Sequence, residues 1–215
     1  PGAREGLNVI NAYSRTGTLD GALTNWYFSA DLAYEWSDRI DMQAWGGRGQ
    51  AAYTFADAMW VPRLMYTFQS FSGDDPDTAA QERFDPLYFD GHPSSWATGS
   101  KSAMTFINSN VNAHQVALSV KPSMQDTITL RYAHIRANEL RSPIQFGQAT
   151  RFEIGDRDNI IAGVTDPHLA DDVFLEYIRI VDRNTYLTAG VSASFPGEGL
   201  ELAARRDLPV WLGGF

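Results

Sequence analysis

Trp26-Tyr27-Phe28-Ser29-Ala30-Asp31-Leu32-Ala33-Tyr34-Glu35-Trp36 puts Trp, Phe, Ala, Leu, Tyr and Trp on its even positions and Ser29, Asp31 and Glu35 among the odd ones. Side chains alternate across a β-strand, so one face would carry aromatic rings at both ends and the other would carry carboxylates. A half-buried strand of a soluble protein explains the first face but seldom needs the second. A transmembrane β-strand needs both, because one face meets lipid between two aromatic girdles and the other lines a wet lumen.

Composition narrows the alternatives. The 215 residues include no Cys, 13% aromatics and 18 Gly, with a formal net charge of -9. No window approaches the ~18 to 20 apolar residues of a transmembrane helix. The acidic balance lacks the basic stripe on which nucleic-acid affinity rests, so no nucleic-acid partner is expected. Arg outnumbers Lys fifteen to two. Arg is weakly hydrated and offers a flat fork of donors, which suits a polar lumen or an anion path; codon bias in a GC-rich genome is the competing explanation.

The same alternation recurs along the chain. Strands are expected over about Leu7 to Tyr13, over the opening segment, over Ile40 to Phe55 and over Met59 to Phe71. Further strands are centred on Val116 to Val120, Ile128 to Tyr132, Val173 to Tyr177 and Leu187 to Phe195, with a last one over Asp207 to Phe215. Short turns at Ala56 to Ala58, Pro122 to Asp126 and Asp182 to Thr185 alternate with long loops over 73–102, 139–170 and 196–206. Short periplasmic turns and long extracellular loops are the asymmetry of an outer-membrane barrel. This predicts an all-β fold, an antiparallel transmembrane β-barrel of the bacterial outer membrane, in contact with its lipid.

The parity of turns and loops requires nine strands, and an odd antiparallel set cannot close on itself with a regular ladder. Residues 1–215 are therefore expected to be the C-terminal part of a single larger barrel domain. The alternative is a tenth strand over Trp96 to Ile107 and a closed barrel, which would turn the long loop after Phe71 toward the periplasm.

Short motifs sharpen the class. Ser72-Gly73-Asp74 after an aromatic strand, followed by Phe84-Asp85-Pro86-Leu87, resembles the "SGD … FDPLF" stretch of the alginate export family. His168-Leu169-Ala170, Asp171 to Tyr177, Ala189-Gly190-Val191-Ser192 and Phe195-Pro196-Gly197 resemble its closing pattern, with Ala170 where the family carries an acidic residue. The resemblance implies a monomeric barrel, typically of eighteen strands, of which nine would be one half. It also implies passive export of an anionic polysaccharide, alginate, through an arginine-lined lumen, with periplasmic export partners.

On this register Arg48, Gln50, Arg63, Gln69, Lys121, Thr129 and Arg131 point inward. Fixed positive charges lower the barrier for anions, while hydroxyls and amides exchange hydrogen bonds with a sliding sugar. Asp31, Glu35, Asp172 and Glu176 point inward too. The lumen is therefore mixed, and salt bridges bracing the wall compete with a dedicated polyanion path. A general diffusion porin for small hydrophilic solutes is the next alternative. Trp26, Trp36, Trp60, Trp211, Tyr53, Tyr66, Tyr132 and Tyr177 are assigned to interfacial belts, and Arg136 and Arg179 to strand ends.

The sequence suggests neither a cofactor nor an enzyme. His92, His114, His134 and His168 lie in different strands and loops, without metal-ligand spacing and without an obvious Ser or Asp partner. A hydrolase with its site at the barrel rim is the enzymatic alternative, and a soluble β-sandwich or β-helix binding module is the third class. Asp74, Asp75, Asp77, Asp156 and Asp158 could supply oxygen ligands to Ca²⁺ or be simply solvated.

Overall fold

The computed structural model describes residues 4–17, 19–87, 98–99, 104–147, 153–154, 157–158 and 160–215. Its main sheet has nine strands: β1 (Leu7–Arg15), β2 (Trp26–Ser37), β3 (Gln43–Thr54), β4 (Arg63–Phe71), β5 (Val111–Val120), β6 (Asp126–Ala137), β7 (His168–Ile180), β8 (Tyr186–Pro196) and β9 (Trp211–Gly214). Each pairs antiparallel with its neighbours in sequence, in the order β1 to β9. Only consecutive strands meet, so short turns suffice on one side.

Several boundaries differ from expectation: the third strand starts at Gln43, the seventh at His168 inside the loop expected over 139–170, and the last spans Trp211–Gly214. The fourth strand starts at Arg63, because Trp60 and Val61 turn with positive φ (66° and 45°) and Pro62 has no N–H for the ladder. Trp60 therefore belongs to a turn. Among the described residues, the segment around 96–107, weighed as a tenth strand, contributes the two-residue ladder of Thr98–Gly99 with Thr105–Phe106, outside the main sheet.

The two faces of the sheet differ as the alternation requires. Leu32, Leu64, Val116, Leu118, Leu130, Val173, Leu175 and Val191 are 39% to 61% exposed on the outer face. So continuous an apolar surface is foreign to a soluble monomer and suits a hydrocarbon solvent. Aromatic rings gather at both ends of β2 on this face. Trp26 stacks on Phe28 at 5.6 Å and meets Tyr53 edge-on at 5.1 Å, while Tyr34 stacks on Trp36 at 6.0 Å. One assigned belt residue faces the other way. Trp211 pairs in register with the buried Ser194 and packs 6.1 Å from Phe146, so it belongs to the interior.

The long connections carry apolar residues and bury them against the inner face. Phe84, Met104, Phe106, Ile144, Phe146, Ile161 and Val164 join Ala44, Phe71, Val111, Ala113, Ile135 and Ala137 in one core at the loop end of the strands. Phe71 and Phe84 meet at 5.5 Å and Phe106 and Phe146 at 4.9 Å. Phe195-Pro196 leads into a seven-residue helix, Glu198–Ala204, where a loop was expected. Gly197 precedes it because a Cβ there would lie 2.6 Å from the His168 carbonyl oxygen.

Candidate functional site

The inner face has two zones. Toward the loops it is covered by the core; toward the short turns it is polar and open. Arg15, Arg48, Arg63, Tyr27, Asp31, Gln50, Met65 and Ser119 line a hollow of about 440 Å³ in the open zone. The register explains their meeting: Asp31 lies opposite Arg48, Arg15 opposite Ser29, and Arg63 opposite Ser119.

Aromatic rings seat three of the cations. Arg63 lies over Tyr27 with its guanidinium carbon 5.0 Å from the ring centroid, Arg131 over Phe174 at 5.7 Å, and Arg15 over Tyr13 at 5.8 Å. A ring face attracts the guanidinium while leaving its edge donors available, by about 0.5–2 kcal/mol. Tyr13, Tyr27 and Phe174 were not among the expected inner residues; alternation along their strands places all three on this face.

The charges also act on one another. Asp31, Arg131, Tyr27 and Arg15 are the electrostatic neighbours of Arg48, and Glu176 that of Arg131. Arg48 and Arg131 sit three strands apart, about 14 Å along a flat sheet with ~4.8 Å strand spacing.

Between the cations run hydrogen-bonded ladders. The Ser29 hydroxyl donates to Gln50 Oε1 at 3.1 Å and Gln50 Nε2 donates to Thr67 Oγ1 at 3.0 Å, joining β2, β3 and β4. Ser119 and Thr129 share a 2.9 Å hydrogen bond between β5 and β6.

Other expected inner residues serve the loops. Gln69 is 1% exposed, and its amide donates to the Thr98 hydroxyl, which in turn donates to Asn108 at 3.0 Å. Glu35 is fully buried and accepts a hydrogen bond from the Asp85 N–H. Asp172 and Glu176 are inner and nearly fully buried. Lys121 lies one residue beyond β5 in the turn, exposed, its N–H donating to the Trp60 carbonyl at 2.8 Å.

The short motifs prove to be loop anchors. Ser72 Oγ accepts from the Trp45 N–H at 3.0 Å, and the Ser72 carbonyl accepts from both Phe84 and Asn110 N–H at 3.1 Å. Asp74 accepts from the Glu82 N–H at 2.8 Å, and Asp85 takes a two-pronged contact from Arg4 at 2.6 and 2.7 Å. The Asp run is no Ca²⁺ cradle: Asp75 accepts from the Asp77 N–H and Asp77 pairs with Arg141 at 3.0 Å, so the three carboxylates serve separate partners. Asp156, His92 and the side chain of Asp158 lie outside the described residues.

The histidines correct the sequence reading. His134 Nδ1 and His168 Nε2 each lie 2.9 Å from an oxygen of Asp171, and His114 Nδ1 lies 2.6 Å from the Tyr66 hydroxyl. At the other end of the outer face Arg179 pairs with Asp126 at 3.0 Å, so it is held at the turn rather than extended alone.

An antiparallel sheet with an apolar outer face, a charged inner face and loops turned inward is of the kind that builds the walls of outer-membrane transporters. A model of the family described as alginate export matches residues 11–207, and the chain belongs to that family. It is an outer-membrane transporter family rather than an enzyme family. No curated protein matches the chain.

Proposed function

We propose that this chain forms part of the wall of an outer-membrane β-barrel that gives passive passage to an anionic polysaccharide of the alginate type or a smaller hydrophilic anion. The observation that carries this reading is the grouping of Arg15, Arg48, Arg63 and Arg131 on one inner face, three of them seated on rings. A guanidinium held by a ring keeps its hydrogen-bonding edge for carboxylates, whereas one locked in an ion pair does not. Asp31 and Glu176 temper the field beside Arg48 and Arg131, which favours transit over tight capture.

Within this reading Gln50, Thr129, Asp31 and Glu176 line the path with the arginines. Gln69, Glu35 and Asp172 brace the region where the loops narrow it, and Lys121 stands at the short-turn rim. Each outermost strand, β1 and β9, has one hydrogen-bonding edge unpaired among the described residues, which supports a wall completed by further strands. A general diffusion porin is the second reading, favoured by the carboxylates on the same face.

Single-channel recording separates the two. Block by oligo-uronate that is lost in Arg48→Glu and Arg131→Glu supports the polyanion path. Block by small cations, or oligo-uronate block indifferent to both substitutions, overturns it.

A further inference from the structure

His168 and Asp171 are three residues apart, and in a regular strand that spacing puts them on opposite faces. The ladder between β7 and β6 slips at this point: His168 pairs with Arg136 and Ala170 with Ile135, leaving Leu169 without a partner residue. The extra residue is a β-bulge, which re-aims the side chains beside it. It brings the His168 ring beside Asp171 and into a stack with His134, centroids 5.0 Å apart and planes inclined by 24°.

The result is a compact set of donors. One ligand atom from each of His134, His168 and Asp171 lies within 4.8 Å of the other two. The two imidazole nitrogens face different oxygens of the one carboxylate, and the Tyr132 hydroxyl donates to Asp171 Oδ1 at 2.6 Å. All three side chains are about one-third exposed, so an ion could reach them.

We propose that His134, His168 and Asp171 bind one divalent transition-metal ion of the zinc type, on the outer face at the loop end of the barrel wall. Two imidazoles and a carboxylate are a borderline donor set that suits Zn²⁺ and excludes the all-oxygen preference of Ca²⁺ or Mg²⁺. Ligands at ~2.0–2.2 Å around a tetrahedral ion stand about 3.3 Å from one another. The two 2.9 Å contacts, made to different oxygens of Asp171, must therefore open by a few tenths of an ångström, and the two imidazole nitrogens, within 4.8 Å of each other, must settle to the same spacing. Each neutral ring keeps its single proton on the nitrogen turned away from the ion, and the carboxylate enters ionised. The Tyr132 hydroxyl then orients Asp171 from outside the coordination sphere. The fourth position is left to water or to an anionic group from the surroundings. Bound metal would tie the start of β7, where the long connection re-enters the wall, to the end of β6.

The test uses the full-length protein in detergent, with Zn²⁺ titrated by calorimetry and Co²⁺ by visible absorption. One Zn²⁺ per chain is expected, with a four-coordinate Co²⁺ spectrum. Affinity should fall at least tenfold in His168→Ala and in Asp171→Asn and stay unchanged in His114→Ala, which alters an outer-face histidine tied instead to Tyr66. His168→Gln, which keeps a side chain of similar reach, replaces any variant without heat-modifiable mobility. Absence of saturable Zn²⁺ binding overturns the proposal. So does affinity that is indifferent to His168 and Asp171, or an equal loss in His114→Ala.

Discussion

The carboxylate of Glu35, on β2, accepts a hydrogen bond of 2.9 Å from the backbone N–H of Asp85, fifty residues further along the chain. It fixes the long connection after β4 to the inner face. Glu35→Ala leaves that N–H without its acceptor, at a cost of about 1–3 kcal/mol. Burial of each of Phe84, Phe106 and Phe146 contributes about 1.5–3 kcal/mol, so the connection should loosen near Asp85 without leaving the interior. The expected result is faster amide exchange over 82–87 with unchanged heat-modifiable mobility. Exchange identical to wild type would show that the hydrogen bond does not hold the loop.

Phe174→Ala removes the ring beneath Arg131 and the contact of Phe174 with Phe215 at 6.2 Å. Loss of a buried Phe costs about 3–5 kcal/mol, and the freed guanidinium gains rotamers that lie outside the path. Oligo-uronate block should weaken several-fold while open-channel conductance stays or rises. Equal block in variant and wild type would separate the ring from the transport role of Arg131.

Gly73 admits no side chain, because a Cβ would lie 2.1 Å from Asn110 Oδ1 and 2.8 Å from Glu139 Cβ. Gly73→Ala must displace Asn110, whose amide nitrogen donates to the Glu139 and Ser142 carbonyls at 3.0 and 3.1 Å. Destabilisation of about 1–3 kcal/mol is expected, read as a lower unfolding temperature and as protease cleavage within 72–87 or 138–147. Wild-type stability would overturn this assignment.

In the turn after β7, the Asn184 N–H donates to Asp182 at 2.8 Å. This bond, followed by hydrogen bonding from Thr185, holds the Asp182 carboxyl below its ordinary range. A depressed folded value stabilises above the unfolded pKa of about 3.9 and loses that stabilisation as pH falls through the folded value. Asp182→Asn should therefore unfold more readily than wild type at neutral pH, with the difference vanishing in strong acid. A difference constant with pH would exclude the carboxylate as its source.

The wall was legible because its period is two. Arg48, Gln50, Arg63, Thr129 and Arg131 face inward, as alternation from Trp26–Trp36 onward requires. What alternation hides is anything that breaks it or lies beyond it. His168 escaped because it fell in the loop expected over 139–170, whereas β7 begins at His168 and the extra residue at Leu169 sets its face. Trp211 escaped because an aromatic residue near a strand end fits a lipid belt and an inner core equally well until its partner Ser194 is known. The inward course of the loops depends on contacts between residues far apart, such as Phe71 with Phe84 and Gln69 with Thr98, which local pattern cannot express.

Ser29, Gln50 and Thr67 form one hydrogen-bonded ladder across β2, β3 and β4. Its amide and hydroxyl groups already serve one another, so the surface between the cations is not sticky toward a sugar hydroxyl. On the proposed polyanion path, a long polymer would be gripped only where guanidinium edges project and would glide over the rest with little friction per residue.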